Sequence, residues 1–84
     1  DAAQEKHVPV VEQQGANITV KVGSVAHPML PEHFIQWIYV ETEKGGQRVN
    51  LSPGEAPEAH FVLAAGDKLV AVYEYCNLHG LWKA

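Results

Sequence analysis

The sequence predicts an all-β sandwich or barrel. Three observations carry this. Short apolar runs alternate with polar residues, turn residues recur between those runs, and helical periodicity never lasts long enough for a helix of ordinary length. With 84 residues the chain is read as one small domain over 1–84.

Val8 to Glu12 is the first predicted strand. Ile18, Val20 and Val22 alternate with Thr19 and Lys21, as a half-buried strand does. Gly23 to Glu32 breaks the rhythm, because Pro28 and Pro31 remove backbone donors and disfavour a central strand. This stretch reads as a connection between sheets. Phe34 to Thr42 is rich in aromatic and β-branched residues, and Gly45-Gly46 marks a turn into Gln47 to Leu51. Ser52 to Pro57 reads as loop. His60 to Ala64 and Lys68 to Tyr75 are expected to form a strand pair around Gly66-Asp67.

Composition removes several function classes. The net charge is −4 and no Lys/Arg cluster occurs, so a nucleic-acid surface is not expected. No apolar stretch approaches the ~20 residues of a membrane helix, and no targeting segment opens the chain, which starts at Asp1. The single cysteine cannot form an internal disulfide. A domain of this size usually needs reinforcement, which leaves a metal or a partner subunit. An unpaired cysteine also suits a reducing, cytoplasmic setting.

Histidine and cysteine carry the chemistry. Cys76-Asn77-Leu78-His79-Gly80 is a C-x-x-H pair that can bring a thiolate and an imidazole to one ion from a single turn, with Gly80 free to adopt a backbone other residues resist. His27 and His33 flank the proline loop, and loops on a rigid sandwich are where binding residues gather. His7 stands near the amino terminus. Each signal is weak alone, since such spacings also occur as a buried cysteine or as surface histidines. Together, four imidazoles and one thiolate suit a transition metal better than calcium or magnesium, which take oxygen ligands. Five ligands point to redox iron or copper rather than four-coordinate structural zinc.

At the level of whole segments the chain resembles the iron domain of superoxide reductases, the group of desulfoferrodoxin and neelaredoxin. The matching segments are Glu5-Lys6-His7-Val8-Pro9-Val10, Gly23-Ser24-Val25-Ala26-His27-Pro28-Met29 and Glu32-His33-Phe34-Ile35. Pro53-Gly54-Glu55-Ala56-Pro57-Glu58 and Glu74-Tyr75-Cys76-Asn77-Leu78-His79-Gly80-Leu81-Trp82-Lys83 match as well. The resemblance implies an immunoglobulin-like sandwich of about seven strands. It also implies one mononuclear iron, cycling between Fe2+ and Fe3+, held by His7, His27, His33 and His79 in a plane with Cys76 axial. The implied activity is one-electron reduction of superoxide to hydrogen peroxide without oxygen release.

By the same resemblance, Lys6 attracts the anionic substrate and Glu5 occupies the open position in the oxidised form. In a regular strand Lys6 would point away from Glu5 and His7, so Glu5 to His7 is expected to be irregular or mobile. Many relatives carry an upstream rubredoxin-like domain with four cysteines, which this chain lacks. The implied partners are rubredoxin or a similar external electron donor and, through homo-oligomerisation, further copies in a dimer or tetramer.

Other residues have ordinary readings. His60 lies inside a predicted strand, Met29 packs under the loop, and Trp37, Tyr39, Tyr73, Tyr75 and Trp82 are core or interface aromatics. Two other functions stay open on the residues. A blue-copper carrier also places Cys and His near the end of a β-sandwich, but it uses two histidines and usually a methionine after the last one, which is absent after His79. An immunoglobulin-like binding module without catalysis would hold no iron and tolerate His27→Ala.

Overall fold

A computed structural model describes residues 1–84. The inward-facing Ile18, Val20 and Val22 lie on strand β2 (Asn17–Val22), between β1 (Pro9–Gln14) and β5 (Glu58–Val62), in a sheet of order β1-β2-β5. The second sheet has the order β4-β3-β6-β7, from β3 (Ile35–Thr42), β4 (Gly45–Asn50), β6 (Leu69–Cys76) and β7 (Gly80–Lys83). All pairings are antiparallel. Three strands facing four in this order form the immunoglobulin-like sandwich.

Period-two alternation aims one face of each sheet at the other. Ile18, Val20 and Val22 from β2 meet Ala59 and Phe61 from β5, and Ile38, Val40 and Val72 from the second sheet close the core. Burying a branched side chain this fully stabilises by ~1.5–3 kcal/mol. Cys76 is the last inward residue of β6, following Val72 and Glu74, and has no exposed surface. No helix is long and apolar enough to cross a membrane.

The structure revises three expectations. The Gly66-Asp67 turn does not join a hairpin: β5 pairs with β2, and β6 pairs with β3 across the sandwich. Asp67 Oδ1 accepts from Lys44 N (3.0 Å) and Lys68 N (2.8 Å), and Glu43 N donates to Lys68 O (2.9 Å), so the turn is anchored on the second sheet and carries the chain across. The β3–β4 turn falls at Glu43-Lys44, with Gly45 and Gly46 already in the strand. Finally, Glu5 to His7 is neither strand nor irregular chain but the end of a short helix, α1 (Ala2–His7). Asp1 caps it by accepting from Gln4 N at 3.0 Å, and Ala, Gln, Glu and Lys are good helix formers.

Candidate metal centre

Three segments converge at one end of the sandwich. The first is the end of α1. Val25 N donates to Glu5 O at 3.1 Å, and Ser24 Oγ donates to the same carbonyl at 3.3 Å. The close approach requires Gly23, where a Cβ would meet Glu5 O at 2.5 Å and Val8 O at 3.0 Å. This docking brings His7 of the helix toward His27 of the loop.

The second segment is the proline loop that connects the two sheets, as expected. His27 N donates to Val22 O at 2.9 Å, and Leu30 and His33 exchange both backbone hydrogen bonds (2.9 and 3.0 Å) around Pro31-Glu32. Met29 packs against the core beneath, its sulfur accepting from Ile35 N at 3.4 Å. The third is the Cys76 to Gly80 turn between β6 and β7, closed by Gly80 at φ +78°.

The ligand atoms of His7, His27, His33, Cys76 and His79 all lie within 4.8 Å of one another. His7 and His27 are oriented from behind. Each Nδ1 lies 2.7 Å from a carbonyl, Ala3 O for His7 and Pro28 O for His27. A carbonyl only accepts, so each Nδ1 carries the proton and each Nε2 is a lone pair. Those two Nε2 atoms face each other at 3.2 Å, and His79 Nδ1 lies 3.1 Å from His7 Nε2. Cys76 Sγ stands 3.5 Å from His27 Nε2 and 3.9 Å from His79 Nδ1. Converging lone pairs repel one another unless a cation or proton sits between them. His33 Nε2 is buried with no hydrogen-bond partner. Four nitrogens and one sulfur gathered in this way fit a transition-metal ion.

Electrostatics agree. Burial holds His27 down at a pKa of about 4, opposed by the Pro28 carbonyl and assisted by His7, His33 and His79. His33 is lowered as well, by desolvation, then by His79, His7 and Lys6. Both rings are therefore neutral near pH 7, as a ligand must be. The Lys6 contribution means its charge reaches the centre, although Lys6 is exposed. Glu5 is exposed too. Successive helical residues turn by about 100°, which puts Glu5 on nearly the opposite side of α1 from His7. His60 is exposed on the other sheet beside Thr19 and Glu58, away from the cluster.

Three residues at or beside the centre have no site role in the sequence reading, which takes Trp82 as a core or interface aromatic. Trp82 stacks on His7, Asn77 bonds the His33 segment, and Glu74 is fully buried with neither carboxyl oxygen paired, its pKa raised by desolvation to about 8. For Glu74 the signal was present, since it shares the inward parity of Cys76 on β6.

The desulfoferrodoxin family model matches residues 1–84. The chain is 57% identical over 84 residues to desulfoferrodoxin of Syntrophotalea carbinolica, covering 100% of this chain and 65% of that protein. It is 38% identical over 97 residues to superoxide reductase of Pyrococcus horikoshii, covering 94% and 84%. The structure superimposes on the superoxide reductase of Treponema pallidum with a TM-score of 0.94 at 55% identity, covering 100% of this chain and 69% of that one. The chain thus spans 65% of the length of the desulfoferrodoxin just named. Matched along all its residues in sequence and fold, the chain belongs to the desulfoferrodoxin family.

Proposed function

We propose that the chain is a superoxide reductase, with residues 1–84 acting as one module and iron held by His7, His27, His33, His79 and Cys76. The observation that carries this is the convergence of the five ligand atoms within 4.8 Å, with two imidazole tautomers fixed from behind. The names of the relatives supply the substrate, superoxide. Bound there, iron would supply the one-electron Fe(II)/Fe(III) couple that turns superoxide and two protons into hydrogen peroxide.

The chain's own residues divide the remaining work. Ala3 O and Pro28 O hold the Nδ1 protons, so His7 and His27 present Nε2 to the ion without reorganising. Cys76 contributes the single anionic, electron-rich donor, shielded from water at the end of β6. Lys6 supplies a cation at the mouth of an otherwise acidic protein and draws the anion in. None of the four surface clefts is lined by the five residues, and a diatomic anion needs none. Glu5 is the carboxylate that approaches the centre in the oxidised state. Its carbonyl is held by Ser24 and Val25, so the approach requires the last turn of α1 to open.

The electron must come from outside residues 1–84, because Cys76 is the only cysteine and already serves the centre. A rubredoxin-like donor fits that need. A thiolate ligand is best kept in the reducing cytoplasm. Self-association into a dimer or tetramer would suit the half-buried Trp37, Tyr39, Tyr73 and Tyr75 row on the outer face of the second sheet, since interfaces are rich in these residues.

The test is a superoxide-consumption assay on iron-loaded protein with an external reductant. Peroxide should accumulate at the reductant's expense without oxygen release. Oxygen evolution in a donor-free dismutation would contradict the reductase reading.

A further inference from the structure

The ligands are not held alike. His7 and His27 each anchor the rear nitrogen of the ring to a carbonyl. His33 has no such anchor, and its Nε2 is buried without a partner. The position of its ring therefore depends on how its backbone is held.

Asn77 holds that backbone from the facing segment. Its Oδ1 accepts from Phe34 N at 2.9 Å, its Nδ2 donates to Glu32 O at 3.1 Å, and its backbone N donates to Phe34 O at 3.2 Å. The side-chain amide thus brackets His33 by bonding the residues on either side of it. Only one orientation of the amide satisfies both contacts, so its oxygen and nitrogen are assigned without ambiguity. The contacts also extend the β3–β6 pairing, which ends at Ile35 opposite Cys76 with a register shift just beyond Ile35. Asparagine suits the task because it donates and accepts at once on a short stem. Aspartate could only accept, serine has a single oxygen on a shorter stem, and glutamine is one methylene longer.

We infer that Asn77 is a positioning residue of the metal centre, fixing His33 relative to Cys76 by clamping the backbone of Glu32 and Phe34. The inference rests on the reading of the five residues as metal ligands. It gives the residue that follows Cys76 a role distinct from that of Cys76 and His79: it touches no metal and acts through His33.

Co2+ titrated anaerobically into the metal-free protein tests this, through the cobalt d–d bands and the thiolate charge-transfer band. Asn77→Ala should weaken Co2+ binding about tenfold, the lower end for removing a partner that orients a ligand. The d–d bands should change while the thiolate band remains. In a His33→Ala background the same substitution should change affinity less than about twofold, because the clamp then has no ligand to hold. If Asn77→Ala does not fold, Asn77→Asp keeps the volume and the acceptor to Phe34 N but sets an oxygen against Glu32 O. It too should bind Co2+ more weakly, despite the attraction its added charge offers the cation. Unchanged affinity in the variant that folds, or an equal loss with and without His33, would overturn the role of Asn77. Absence of any Co2+ thiolate band in the unaltered protein would instead remove the metal reading, and the inference with it.

Discussion

Trp82 stacks on His7, with ring centroids 4.8 Å apart and planes inclined by 21°, while its Nε1–H donates to His79 O at 3.2 Å. One side chain therefore joins the helix that carries His7 to the turn that carries His79. Trp82→Phe should keep the stack and lose the donor, costing about 1 kcal/mol. Trp82→Ala should lose both, costing roughly 2–4 kcal/mol. Thermal unfolding of the two variants checks the order. Equal losses would mean that the stack contributes nothing.

Removing metal should lower the unfolding temperature sharply, because the cluster leaves the Nε2 lone pairs of His7 and His27 facing each other. An ion at a thousand times its dissociation constant adds about 4 kcal/mol of stability. Calorimetry before and after chelation measures this. His27→Ala should abolish most of the difference, whereas a non-metal binding module would show no difference on chelation in either protein.

Glu74 makes stability depend on pH. Its carboxyl is raised from the ordinary range to about 8 by burial, so the folded protein holds a proton that the unfolded chain releases near pH 4.5. Its favourable effect is complete below about 4.5 and is lost as pH rises through about 8. Glu74→Gln should flatten that decline and raise the midpoint near pH 8 by at least several degrees. A melting series from pH 5 to 8.5, run on wild type and variant, is the check; parallel curves would contradict it.

Much of this arrangement was legible in the sequence. Alternation identified Ile18, Val20 and Val22 as inward, and turn residues placed His27 and His33 on the connection between sheets, because both signals are local. Leu63 to Lys68 misled for the same reason. Gly66-Asp67 marks a turn, but only the contacts of Asp67 with Lys44 and Lys68 decide that the chain crosses to the other sheet. Helix α1 is not predicted by periodicity although Asp1 and the residues after it favour a helix, since six residues are too few to show a repeat. The bonds of Asn77 to Glu32 and Phe34 join residues 45 and 43 positions apart in the chain, and no spacing rule anticipates them.

Lys6→Ala should slow capture of superoxide about tenfold at low salt while metal content stays the same. Adding salt should slow the wild type toward the variant, because an exposed charge is screened. Pulse radiolysis across ionic strengths reads both effects. Identical rates at low salt would remove Lys6 from the account.

The central claim is that His7, His27, His33, His79 and Cys76 bind one iron. Its most direct measurement is the iron content of the pure protein together with its visible spectrum after oxidation. About one iron per chain is expected, with a sulfur-to-Fe(III) charge-transfer band that Cys76→Ser abolishes. Protein that takes up no iron, or a band that survives Cys76→Ser, would contradict it.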